Sequence, residues 1–373
     1  MTVLRSELAK LARAALTDPI PGAPDAEITV APKDLADAAT ILRFAAQHRL
    51  RVLFWGGGTH QGIGHEVTPD VVMSSRALNR VIEWQVEDLT IAVESGVLVS
   101  DLEAQLEQRG QTAVLPEDVP GATVGGVVAC GLSGWRRLRY GPTRDRVIEV
   151  TAATGDGRQI RGGGRLVKNV TGYDLPRLYV GSLGALGLIG SVCLKLWPLT
   201  AERAMVDVTN AGRALEATYR PHALLETEEK ATVYLAGTAE EVAAQAERLG
   251  GAAMPGHRWP DPLAGLYEMI VRVPAAATVE AVSRLRRLGW RFVAAHGVGE
   301  VRVALDETPE GTLADVRRWA ESIGGAVVVV RAPQGAAIDP WGIPPDSVEL
   351  QRRVKTAFDP VGVCNPGKLP GGI

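Results

Sequence analysis

The sequence predicts an α+β protein in two parts, a glycine-rich first half and a smaller unit of ferredoxin-like order. Three observations carry this expectation. The 42 glycines cluster between Gly56 and Gly190, where short strands run into loops. Residues 269–330 read strand, helix, strand, strand, helix, strand, which is the ferredoxin-like order. The 373-residue length fits two or three domains, at roughly 150 residues each.

The elements follow in order. Leu35, Ala38, Ala39 and Leu42 recur at helical spacing over Asp34–His48, and Asp34 with Asp37 three residues on makes a capping-box-like start. Arg51–Phe54 reads as a strand running into Gly56–Gly64, which is too rich in glycine for regular structure. Leu89–Val93 is an alternating strand. The helix Asp101–Arg109 follows, with Ser100 and Glu103 at capping-box spacing and Gly110 as its stop. Residues 115–134 are apolar yet broken by glycine and proline. Val147–Ala152 and Arg158–Arg161 flank Thr154-Gly155-Asp156-Gly157, a hairpin signal. Beyond Trp197-Pro198 the texture becomes plainer. Strands Met269–Val273, Arg291–Ala295, Glu300–Leu305 and Ala326–Val330, with helices Thr278–Leu288 and Thr312–Ile323, form the ferredoxin-like unit. An extra strand and helix, Thr232–Leu249, precede it. A proline-rich connector over residues 333–345 and a helix from Ser347 to Phe358 lead to the closing segment. No internal sequence repeat is legible.

Composition excludes several classes. The chain is 46% hydrophobic and 22% charged, an ordinary globular balance. Its 40 basic and 43 acidic residues give a net charge of −3, so no basic field draws nucleic acid or anionic lipid. Cys130, Cys193 and Cys364 are scattered with no CxxC pair, which excludes a four-thiolate zinc or iron–sulfur site within this chain, and no metal site is expected. No stretch approaches the ~20 apolar residues of a membrane span. The opening MTVLRSELAKLARAAL lacks the unbroken apolar core of a signal peptide. A soluble cytoplasmic protein is the expectation.

Successive glycines after a buried strand let backbone N–H groups converge on an anion, usually a phosphate or pyrophosphate. Gly56–Gly64 is neither a P-loop, for no Gly-Lys-Ser/Thr ends it, nor a dinucleotide fingerprint, for no G-x-G-x-x-G register runs through it. Alone it reads equally well as a surface turn. Residues 116–134 shift the balance, being too apolar for a linker and too glycine-rich for a core strand, so a ligand packed on the backbone is expected. Two such segments suggest a long ligand with a diphosphate.

In order and spacing, GGGT after the first strand, PGATVGGVVA from Pro120, RYGPTRDRV from Arg139 and KNVTGYDL from Lys168 resemble the FAD-binding domain of the vanillyl-alcohol-oxidase family. Within it the likeness is greatest to the FAD-binding E subunits of bacterial glycolate oxidases, through GGVVACGLSGWRR (125–137), VKNVTGYDLPRLYVGSLGALG (167–187) and FDPVGVCNPGKL (358–369). The resemblance covers about residues 30–200 and the C-terminal segment. It implies a PCMH-type FAD-binding domain of two α+β subdomains over residues 1–200. A smaller ferredoxin-like α+β cap over 201–345 would serve substrate or docking, with a segment, 346–373, returning to the FAD domain. It further implies Gly56, Gly57, Gly58, Thr59, His60, Gly62 and Gly64 at the pyrophosphate loop, with Pro116, Thr123, Gly125, Gly126, Ser133, Tyr140 and Gly141 along the rest of FAD. The residue types agree: Gly125 and Gly126 permit backbone approach, and Thr123 and Ser133 offer hydroxyls to phosphate or ribose oxygens.

Many family members bind FAD covalently through a histidine directly after the glycines. Thr59 holds that position here and His60 is offset by one, so non-covalent FAD is expected. Related D-2-hydroxyacid dehydrogenases carry a histidine-rich motif in their C-terminal half, and no H-x-H occurs in this chain. Hydride removal from a 2-hydroxy acid needs a base for the hydroxyl proton. Lys168, Asn169 and Tyr173 are the candidates, weighed against roles as loop ties and a ring-packing tyrosine. His296, before Gly297, is a further histidine to test. Arg136, Arg137 and Arg139 serve either an anion or a solvated face. The implied function is the FAD-binding subunit of a glycolate oxidase complex, oxidising a small 2-hydroxy acid, glycolate, to glyoxylate. Its implied partners are a second FAD-binding subunit and an iron–sulfur subunit, through which any membrane association would come. A self-sufficient FAD-dependent 2-hydroxyacid dehydrogenase and a non-catalytic flavin-relay or assembly subunit are the alternatives.

Overall fold

The structure is a computed structural model that describes residues 7–8, 16–116, 119–165, 173–309 and 311–373. The chain divides into two compact units, one of Met1–Leu132, Pro142–Pro198 and Pro344–Ile373, the other of Ser133–Gly141 and Leu199–Ile343. The sequence reading divides the chain at residues 200 and 345, and it assigns the short stretch Ser133–Gly141 to the first part rather than the second.

In the first unit, strands β1 (Ile28–Val30), β2 (Val52–Trp55) and β3 (Val71–Ser74) form a parallel sheet in the order β1-β3-β2. All their residues are buried, as expected of parallel strands covered on both faces. The helix Leu35–His48 packs Ala38, Ile41, Leu42 and Ala45 into this core. Its N-terminus is held by Asp34, whose carboxylate accepts the Asp37 N–H at 2.8 Å. Strands β4 (Val81–Gln85), β5 (Thr90–Glu94), β7 (Val147–Ala153), β8 (Gln159–Gly163) and β9 (Leu188–Lys195) make an antiparallel sheet in the order β4-β5-β9-β7-β8. β6 (Gln111–Thr112) and β10 (Trp197–Pro198) pair apart from it. The β7–β8 connection is the expected turn, with Gly157 at φ 78° and Arg158 N–H donating to Thr154 Oγ1 at 3.1 Å. The C-terminal segment returns to β2: Val52 N–H donates to the Val363 carbonyl at 2.8 Å, and Asn365 N–H to the Val52 carbonyl at 2.9 Å.

Two local expectations change. The helix after β5 runs Val99–Glu107 with Leu98 at its N-cap and no side-chain cap. Glu103 instead accepts from Thr112 Oγ1 (2.7 Å) and Leu115 N–H (3.0 Å), so its carboxylate ties the helix to the next segment rather than closing a capping box. The stretch 115–134 is not wholly irregular, because Val124–Cys130 is helical, with Thr123 as N-cap and Gly131 as a left-handed C-cap.

The second unit holds an eight-stranded sheet of β11 (Glu202–Val208), β12 (Ala223–Glu226), β13 (Ala231–Gly237), β14 (Met254–Pro255), β15 (Tyr267–Arg272), β16 (Arg291–Ala295), β17 (Glu300–Leu305) and β18 (Ala326–Arg331). Its order is β14-β11-β13-β12-β16-β17-β15-β18, with antiparallel pairing. Helices Ala211–Ala217 and Ala239–Leu249 complete a first strand-helix-strand-strand-helix-strand set, and Thr278–Arg287 and Thr312–Ser322 a second. Both sets arrange their strands alike, and they join through their second strands, with Leu225 opposite Ala295. The unit is therefore two ferredoxin-like halves, where the sequence showed one and a preceding strand and helix. The four helices cover one face, through Val206, Leu224 and Val233 in one half and Val271, Phe292 and Val303 in the other. The opposite face carries Ala223, Leu225, Tyr234, Val293 and Ala295, packed with Trp135 from the inserted stretch and Trp259. Among the described residues, no helix is long and apolar enough to cross a membrane.

Candidate functional site

A cleft in the first unit lies partly open to solvent. The glycine loop after β2 forms one wall. Ser75 and Ser95, just past β3 and β5, the helix Val124–Cys130 and the approach to β9 form others, and Asn365 and Lys368 contribute from the C-terminal segment.

The loops pack on each other through missing side chains. A Cβ on Gly57 would stand 1.9 Å from the Gly121 carbonyl oxygen, and one on Gly125 would stand 2.5 Å from Ser95 Cβ. Gly126 differs: a Cβ there would meet only Thr123 Oγ1, at 3.2 Å, and the residue lines the cleft. Thr123 is 1% exposed, and its Oγ1 accepts the Gly126 N–H at 3.2 Å. Thr59 Oγ1 and His60 Nδ1 pair at 2.8 Å on the cleft wall.

The C-terminal segment is fastened from within. Asn365 Oδ1 accepts the Phe54 N–H at 2.9 Å, while its Nδ2 donates to the Leu183 carbonyl at 2.7 Å. Lys355 Nζ donates to Asp359 Oδ2 (2.7 Å) and to the Ala185 and Cys364 carbonyls (2.9 Å each). Asp359 also accepts the N–H groups of Gly362, Val363 and Cys364. Lys368, 4% exposed, donates to the carbonyls of Gln61 and Ile63. Burial pulls its pKa down to about 8, so it carries its charge at neutral pH. Burial pushes the Cys130 thiol up to about 12, and it stays protonated.

Residues 26–163 match a family model described as an FAD binding domain, and residues 340–369 match one described as the C-terminal domain of FAD linked oxidases. The chain carries an FAD-binding domain and a closing segment similar to the C-terminal domain of FAD-linked oxidases. It is 29% identical over 348 residues to glycolate oxidase subunit GlcE of Escherichia coli K12, covering 87% of this chain and 94% of that protein. It is 36% identical over 177 residues to glycolate oxidase subunit GlcD of Bacillus subtilis 168, covering 47% of this chain but only 37% of that one. Among solved structures it is similar to an alkyldihydroxyacetonephosphate synthase, with a TM-score of 0.64 and 16% identity over 93% of this chain and 78% of the other. That likeness bears on the fold alone.

The cleft of this FAD-binding domain suits the dinucleotide. Ser95 is 1% exposed and its Oγ has no protein partner, though the residue lines the cleft. Gly126 leaves its backbone open to a guest, and no aspartate or glutamate lines the cleft among the described residues. Gly56–Thr59, Ser95, Gly126 and Lys368 would hold FAD.

Of the residues expected from sequence, Gly56, Gly57, Gly58, Thr59, His60, Gly125 and Gly126 line the cleft, while Gly62, Gly64, Pro116 and Thr123 do not. Gly64 packs on the Lys368 carbonyl, and Thr123 spends its hydroxyl on its own helix. Ser133, Tyr140 and Gly141 fall in the second unit, where Tyr140 Oη pairs with His222 Nε2 at 3.0 Å. Arg137 meets Glu300 there, and Arg139 donates to the Ala236 carbonyl. His296 pairs with Glu226 at 2.7 Å within the same unit. Lys168 and Asn169 lie outside the described residues. Tyr173 is 92% exposed, just before the Asp174 cap of the helix Leu175–Tyr179, and is not among the described residues that line the cleft. Sequence reasoning missed Ser75, Ser95, Cys130, Asn365 and Lys368. The Asn-Pro-Gly-Lys run was the available signal for the last two. Ser95 had none.

Proposed function

We propose that this chain is the FAD-binding subunit of a complex of the glycolate oxidase type that oxidises small 2-hydroxy acids to 2-oxo acids. The similarity to GlcE over nearly the full length of both proteins carries this reading. Bound FAD supplies the acceptor for the hydride leaving the substrate carbon, with electrons passing onward to partners. The chain's own residues hold and orient. The glycine loop and Gly126 offer backbone, Lys368 offers positive charge beside an anionic cofactor, and the Asn365 and Asp359 contacts keep the closing segment in place. With threonine at position 59, the cofactor is bound without a covalent link. A second FAD-binding subunit fits the added similarity to GlcD. An iron–sulfur subunit fits three free cysteines, two of them buried, that lie far apart in sequence.

The test is to purify the chain, precipitate it with acid, and read flavin in supernatant and pellet. FAD in the supernatant is the expected result, and glycolate should bleach the flavin of the reconstituted complex. Flavin retained in the pellet would contradict the linkage. A complex unreduced by glycolate, lactate or 2-hydroxyglutarate would overturn the substrate class.

A further inference from the structure

We infer that Ser95 anchors the cofactor, its hydroxyl donating a hydrogen bond to the diphosphate of FAD. The inference rests on the reading of the cleft as an FAD site. Ser95 follows β5, and its main chain is fully engaged: its N–H donates to the Gly190 carbonyl at 2.9 Å and its carbonyl accepts the Gly125 N–H at 2.7 Å. Its Cβ lies where a side chain on Gly125 would have to go. The backbone therefore holds the residue without help from the hydroxyl, and alanine would fill the same space. Yet a hydroxyl is there, in a residue 1% exposed, with no protein partner. Buried polar atoms are nearly always paired, so an orphan on a cleft wall points to a partner supplied by a guest. Ser182 makes the contrast, since its Oγ is also buried and unpartnered but it does not line the cleft.

The position selects the diphosphate end. Ser95 Cβ stands where a side chain on Gly125 would go, and Thr123 Oγ1 where one on Gly56 would go, so Ser95 lies on the wall built from the stacked glycine backbones. Ser75 also lines the cleft, and Gly96, the residue after Ser95, packs directly on its carbonyl. Without a lining carboxylate, an acceptor-only, negatively charged oxygen is the partner such hydroxyls favour, and a hydrogen bond to a charged oxygen is the strong kind.

The experiment titrates flavin-free full-length chain with FAD and with riboflavin, following flavin fluorescence, for wild type, Ser95→Ala and Ser182→Ala. A charged hydrogen bond lost should weaken FAD binding by about tenfold to a hundredfold in Ser95→Ala. Riboflavin affinity, Ser182→Ala and the melting temperature of the flavin-free chain should stay unchanged. FAD affinity within twofold of wild type in Ser95→Ala would overturn the inference. An equal loss for riboflavin would move the hydroxyl to the isoalloxazine and overturn the diphosphate assignment. A wild-type chain that binds no flavin would overturn the reading of the cleft itself, and this inference with it.

Discussion

Gly125 and Gly126 lack side chains for different reasons, and substitution separates them. Gly126→Val projects methyl groups into the cleft from a helical backbone that accepts valine slightly better than glycine, and a Cβ there meets only Thr123 Oγ1 at 3.2 Å, so FAD binding should be lost while the fold remains with little change in stability. Gly125→Val drives into Ser95 and should prevent folding of the first unit. Flavin content against melting temperature checks both. Charge supplies a second residue-scale prediction. Burial pushes His222 down to about 2 and His257 down to about 4, against a usual value near 6.5. The unfolded chain therefore binds protons that the folded one refuses, and stability present above pH 6.5 is lost as the pH falls. At pH 5, His222 alone should cost about 2 kcal/mol. Melts from pH 7.5 to 5 should show that loss, and it should shrink in His222→Gln. The glycine residues of the cleft wall were legible at this scale because two glycine-rich segments each follow a strand, whereas one such run alone reads equally well as a surface turn. Ser95 was not, since a serine ending a strand is ordinary until its hydroxyl is seen without a partner.

At the scale of elements, the closing helix and its tail depend on one carboxylate. Asp359→Ala would leave Lys355 charged, 6% exposed and facing only carbonyls, besides freeing three backbone N–H groups. Breaking a buried pair in this way should cost about 3–5 kcal/mol, read by denaturant titration. The tail's route back to β2 was legible only through its resemblance to known sequences, because no local signal states where a coil segment docks. Periodicity located Leu35–His48, β7–β8 and the second ferredoxin-like half, whose elements are long and amphipathic. It missed the first half as a copy of the second. There β14 is two residues long and the first helix seven, too short for a pattern to stand above noise. The Ser100–Glu103 spacing misled because Glu103 had a better use in Thr112 and Leu115.

For the whole molecule, catalysis is expected to need company. The described cleft offers backbone, hydroxyls, a buried thiol and Lys368, and its one imidazole, His60, is already paired with Thr59. General-base assistance is worth roughly 10²–10⁴ in rate. The isolated, FAD-loaded chain should therefore reduce dye with glycolate at no more than about a hundredth of the complex's rate. Equal turnover in steady-state assays would show the chain to be self-sufficient. The pairing of Phe54 with Asn365, 311 residues apart, carries one last consequence. On the ribosome, β2 and the glycine loop emerge long before the segment that braces them, and the entire second unit is made in between. The first unit must wait half-built, with Phe54 N–H and the Gln61 and Ile63 carbonyls lacking their partners. Cofactor loading is therefore expected to follow the synthesis of Asn365 and Lys368, the residues that brace the glycine loop.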